Sequence, residues 1–190
     1  MIETIGSILT AVGLGVGAGV NAYATFLVFG LLARVYPAMF HGEAAEFFAS
    51  TPVLIVVGVM YAIEFFADKV PALDHAWDAV HTFIRPLAGA LVAFASASPD
   101  MPEGLAIVAA VLGGGAALGS HAVKASVRLG STATTGGAAN PILSLVEDVF
   151  AIGQSLLAIF LPFVFLVVAL LFVFFVALWW GRGKRRQTTG

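Results

Sequence analysis

The chain has 190 residues, a formal net charge of −2, 11% charged residues and 60% hydrophobic ones, with a mean hydropathy of +1.01. A soluble domain carries about a quarter charged residues, so this chain cannot cover a water-facing surface and its expected solvent is lipid. The absence of cysteine excludes disulfides, thiol catalysis and thiolate metal sites. No basic face is long enough to track phosphates, which excludes nucleic acid as a partner.

A spanning helix needs about 20 apolar residues. About six spans therefore fill the chain, and no soluble domain fits beside them. The expected fold is an all-α membrane protein. Glu3 is the one charge in residues 1–33. A cleaved signal peptide begins with a basic region, so the first helix is expected to stay as an anchor.

Span one is expected over about Ile5 to Leu32. Gly13, Gly15, Gly17 and Gly19 let a second helix approach closely, or let this one break, and Asn21 with Tyr23 follows at mid-depth. Residues 35–50 read as a loop. Span two covers about Thr51 to Phe66, with Glu64 in its last turn. Pro71 suits a helix start, and Asp74, Asp78, His81 and Arg85 then fall on one helical stripe that leads into span three, about Phe83 to Ser96. The acidic turn at 98–103 divides the chain. Span four covers about Leu105 to Ser120 and ends in a second stripe, His121, Lys124 and Arg128. Thr134 to Asn140 reads as a polar small-residue loop, with Asn140 as the cap of span five and Pro141 at its first position. Span five carries Glu147 and Asp148 and could end as a half-helix near Gly153. Residues 149–181 carry no charge; Trp179 and Trp180 then mark an interface before Arg182, Lys184, Arg185 and Arg186.

The positive-inside rule places the basic tail, Lys69, Arg85, Lys124 and Arg128 in the cytoplasm and the acidic turn outside. Six spans with both termini cytoplasmic satisfy this in the cytoplasmic (inner) membrane; Arg34 is the exception. Three spans on each side of the turn suggest two inverted repeats with broken or re-entrant segments, residues 1–98 and 99–190. Gly19-Val20-Asn21-Ala22 matching Gly119-Ser120-His121-Ala122 supports the repeat.

Charge at membrane depth costs at least about 2.5–3.5 kcal/mol per group on insertion scales and is kept where it is paired or lines a path. Glu64, Asp68, Glu147 and Asp148 are the expected ion- or substrate-binding acids, with Asn21 and Asn140 as polar groups at helix breaks. Lys69, Arg85, Lys124 and Arg128 are the supporting cations; their alternative role is simple ion pairing. Asp74, Asp78 and His81 have the donor chemistry of a divalent metal site, against the alternative of a polar face lying at the interface. No cofactor is required beyond such a metal ion. The expected partners are membrane lipid, a small ion or solute, and a second copy of the chain.

At these residues the sequence resembles a widespread bacterial family of small integral membrane proteins described only as a domain of unknown function. The likeness rests on Gly19 to Tyr23, Glu64, Ala67 to Pro71, Asp74, Trp77-Asp78, His81, Arg85-Pro86, Thr135-Gly136, Asn140-Pro141 and Glu147-Asp148. It implies no activity. Glu64 to Val70 also loosely resembles the Glu-x-Gly-Asp-Lys/Arg-Ser/Thr motif of inverted-repeat divalent-cation/proton exchangers. Here the spacing is one residue longer, the glycine is absent and Val70 replaces the hydroxyl. The expected function is a small secondary transporter or channel for a cation (proton or divalent metal) or a small polar solute, rather than an enzyme. The alternatives are a metal-dependent intramembrane enzyme acting on lipid headgroups and a non-transporting assembly subunit.

Overall fold

The computed structural model describes residues 1–40, 42–69, 71–97 and 100–187, without the side chains of residues 71–75 and 179–187. Asp74, His41, the Trp179-Trp180 pair and the basic tail side chains therefore lie outside the described residues. The helices are α1 (Ile2–Val20), α2 (Ala22–Val35), α3 (Glu43–Ala49), α4 (Thr51–Ala67), α5 (Pro71–Ala95), α6 (Glu103–Thr135), α7 (Asn140–Phe160) and α8 (Pro162–Gln187). Among the described residues there is no strand. Three helices, α1, α6 and α7, are long and apolar enough to cross a membrane, and α3 with α4 makes a fourth candidate bent by 59°. α2 and residues 162–178 of α8 are shorter apolar helices.

The expected first span is two helices. Asn21 is extended (φ −147°, ψ 105°), and α2 turns back along α1. Thr25 Oγ1 comes to 2.8 Å from where a Cβ on Gly17 would stand, and Phe29 packs in the same buried cluster as Leu14. Hydropathy cannot reveal such a turn, because both arms are apolar and one residue makes it. The alternating glycines serve two neighbours. Positions two apart on a helix lie about 200° apart, so Gly13 and Gly17 meet Ala158, Gln154 and Ser155 of α7, while Gly15 and Gly19 meet Gly113, Ala117 and Ser120 of α6.

α6 runs unbroken well beyond the expected Ser120, through 33 residues, until Gly136 and Gly137 take positive φ (62° and 88°) that favours glycine. α7 does not stop near Gly153; it continues to Phe160, and the chain bends at Leu161 before Pro162. Asn140 is not the cap of α7 but its first residue, with Ala139 at the cap. The Asn140 amide instead donates to Thr132 Oγ1 of α6 at 3.1 Å.

α1 and α6 run in the same direction: Ala11, Gly15, Gly19 and Val20 meet Gly113, Gly113, Ala117 and Lys124 in turn. An inverted repeat matching Gly19–Ala22 to Gly119–Ala122 would set this pair antiparallel, so α1 and α6 do not show the expected inversion. The extra turn at Asn21 is the reason. It also brings the N-terminus to the acidic turn, since Glu3 and Asp100 line one cleft. Expecting these two segments at opposite ends of the bundle fails for the same reason.

Candidate functional site

The break at Asn21 exposes two helix ends inside the bundle. The last carbonyls of α1 have no helical partner and form the negative end of its dipole. Two long cations reach them. Arg85 of α5 donates from Nη1 to the Gly19 carbonyl at 3.0 Å, and Lys124 of α6 donates from Nζ to the Val20 carbonyl at 3.0 Å. At the start of α2, Asn21 Oδ1 accepts from the Ala24 amide at 2.9 Å. Its Nδ2 donates to Asp148 Oδ1 of α7 at 2.7 Å. Asparagine suits this position because one side chain both accepts and donates.

Around these ends the two sequence stripes close on each other. Arg85 Nη2 pairs with Glu64 Oε1 at 2.8 Å and lies 3.6 Å from Asp78 Oδ1. Arg85 Nη1 also lies 2.7 Å from His121 Nδ1. A guanidinium only donates, so His121 Nδ1 accepts and the ring is neutral. Its Nε2–H then faces Thr82 Oγ1 at 3.0 Å, and the Thr82 hydroxyl donates to the Asp78 carbonyl at 3.0 Å. Arg128 pairs through Nη2 with Asp68 Oδ2 at 2.9 Å. Its Nε donates to both oxygens of Glu147 at 3.1 Å, and its Nη2 also meets Glu147 Oε2. Lys124 Nζ lies 3.3 Å from Glu147 Oε2 and 3.6 Å from Asp68 Oδ2.

Glu64, Arg85 and Arg128 are fully buried, and Asp68, Asp78, Lys124 and Asp148 are all at most 8% exposed. Among the described residues the cluster sets five carboxyl groups (Glu64, Asp68, Asp78, Glu147, Asp148) against three cations (Arg85, Lys124, Arg128). Asp68 and Glu147 balance Lys124 and Arg128. Glu64 and Asp78 share Arg85. Asp148 has no ion pair among the described contacts. Glu64 Oε2, Asp68 Oδ1 and Asp148 Oδ2 are buried acceptors with no hydrogen bond.

Not every expected residue joins. Lys69 turns to its own helix, donating to the Phe65 carbonyl at 2.7 Å, with its ammonium 3.1 Å above the Phe65 ring centroid. Asn140 lies eight residues before Asp148, about 12 Å along α7, on the same buried face as Ser144. Of the expected metal ligands, Asp78 faces Arg85, and His81 Nδ1 donates to the Trp77 carbonyl at 2.8 Å; among the described residues no group of three or more such side chains is placed to hold a metal ion. Sequence reasoning missed the part played by His121, although it shares the helical stripe of Lys124 and Arg128. It also missed Thr25, Gln154 and Ser155, which carry no charge to draw attention in an apolar run.

No curated protein and no solved structure matches the chain. A family model described as a domain of unknown function (DUF4126) matches residues 8–182, and the chain belongs to that family.

Proposed function

We propose that this is a small membrane transporter or channel whose exchanged cation is a proton, taken up and released by the buried carboxyl cluster. The observation that carries this is the excess of carboxyl groups, with Asp148 paired to a neutral amide alone. Ionised carboxylates buried without a cation are costly, and burial favours the neutral acid. A proton, small and exchangeable, removes that cost. The broken α1–α2 hairpin supports the reading, because discontinuous helices present charged groups and backbone ends to an ion. The exposed apolar side chains of α8, such as Phe172 and Phe175, suit contact with lipid in a cytoplasmic membrane. The basic end of the bundle, with Lys124 and Arg128, then faces the cytoplasm. The N-terminus shares the outer face with the acidic turn.

The test is proton flux into liposomes carrying the purified protein, read by an entrapped pH dye under an imposed potential. Wild type is expected to conduct, and Asp148→Asn and Glu64→Gln to lose at least about tenfold of the rate. A wild type no faster than empty liposomes for protons overturns the reading.

A further inference from the structure

The geometry points to the polar seam between α1 and α7 as the proton route from the acidic-end cleft to Asp148. This rests on the proton reading above and adds a path to it. On α1, Thr10, Gly13, Gly17 and Asn21 lie on one face; on α7, Asp148, Ala151, Ser155 and Ala158 lie on the facing one, with Gln154 beside them. Thr10 to Asn21 is eleven residues, about 16 Å of helix.

Three oxygens converge midway. A carbon added at Gly17 would stand 2.6 Å from Ser155 Oγ, 2.8 Å from Thr25 Oγ1 and 3.1 Å from Gln154 Oε1. Thr25 and Ser155 are fully buried, and Gln154 is 8% exposed. From this point polar groups continue toward the cluster. Ser155 donates to the Ala151 carbonyl at 2.7 Å and its Oγ lies 3.3 Å from Thr25 Oγ1, Thr25 donates to the Asn21 carbonyl at 3.0 Å, and the Asn21 side chain holds Asp148. In the other direction Gln154 Nε2 donates to the Gly13 carbonyl at 2.6 Å, and Thr10 donates to the Ala158 carbonyl at 2.9 Å. Thr10 also lines a cleft of about 610 Å³ with Glu3, Ser7, Ser96 and Asp100.

Hydroxyls that only fasten two helices need no spare acceptors. This seam has two, Gln154 Oε1 and Asp148 Oδ2, both buried and without a donor. Leaving such atoms unpaired is costly, and a water or hydronium passing from the cleft would satisfy them. In the transfer, the Asp148 O–H bond breaks and its proton joins the oxygen of a water that has entered from the cleft, because the Asn21 amide and carbonyl between Asp148 and Thr25 cannot relay it. That oxygen releases its other proton to the next. One charge moves, nothing is oxidised, and reorientation restores each O–H. Asp148 also feels Lys124 from α6, Glu64 from α4 and Asp68 beyond the end of α4. These groups set when it holds its proton; the seam decides from which face the proton comes.

The test compares Gln154→Leu and the double variant Thr25→Val with Ser155→Ala in the liposome assay, with unfolding in detergent and the infrared carbonyl band of protonated Asp148 as controls. That band is identified by its loss in Asp148→Asn. Both seam variants are expected to lose at least about tenfold of the proton flux while keeping the band and the unfolding midpoint. Wild-type flux in both variants, beside a dead Asp148→Asn, overturns the seam and leaves the proton site standing. A wild type without flux removes the proton site itself, and the seam with it.

Discussion

Each charged side chain in the cluster is held by others that cannot replace it. Arg85 compensates Glu64 and Asp78 and also binds the Gly19 carbonyl. Removing one partner of a buried ion pair leaves an uncompensated charge, at about 3–5 kcal/mol. Arg85→Gln is therefore expected to lose roughly that much stability, seen as a lower unfolding midpoint in detergent. Part of the loss should return in Arg85→Gln combined with Glu64→Gln. Asp148 behaves differently. With no cation partner, Asp148→Asn removes a group that is neutral once protonated. The expected stability change is within about 1 kcal/mol, measured in the same unfolding assay. A large loss in Arg85→Gln beside a small one in Asp148→Asn would separate the two roles, a distinction that burial alone does not make.

At the scale of elements, the small residues of α1 are packing surfaces on two sides. A methyl at Gly15 would overlap the backbone of Gly113, and one at Gly19 would overlap Ser120 and the Ala117 carbonyl. Gly15→Ala and Gly19→Ala are each expected to cost about 1–3 kcal/mol through overpacking. Gly119 and Gly153 have open space around their Cβ positions, so Gly119→Ala and Gly153→Ala should be neutral or stabilising by up to about 1 kcal/mol, as alanine favours helix over glycine. Thermal unfolding of the four variants side by side checks the contrast. Much of the site was legible at this scale: the stripes at Asp78, His81 and Arg85 and at Lys124 and Arg128 follow from helical period and do converge. A break near Asn21 was legible in its glycines, but the fold-back of α2 was not, because a one-residue turn between two apolar arms leaves no mark in hydropathy. The run of α7 past Gly153 escaped for the opposite reason. A glycine there reads as a break, yet the helix continues, with Gln154 and Ser155 held against Gly13 of α1 and Thr25 of α2.

For the whole molecule, the turn at Asn21 decides the topology. It makes α1 and α6 parallel and sets Glu3 and Asp100 on one cleft, which a count of apolar runs could not foresee. The all-helical class and the apolar spans were legible from composition; the order in which they cross was not, since it depends on which run hides a hairpin. Because the chain has no cysteine, single cysteines report sidedness without background. Cysteines at Glu3 and Asp100 are expected to react with an impermeant maleimide from one side of the membrane, and a cysteine at Gly136, beyond the far end of α6, from the other. Labelling of Glu3 and Gly136 from the same side would contradict the fold-back of α2.

The central claim is that a buried excess of carboxyl groups binds an exchangeable proton at Asp148, and the most direct measurement is the infrared spectrum of the purified protein in lipid at neutral pH. The account predicts a protonated-carboxyl carbonyl band, shifted by deuterium exchange and absent in Asp148→Asn. A spectrum without such a band, identical in wild type and Asp148→Asn, would mean that Asp148 stays ionised and that the cluster is a set of structural ion pairs.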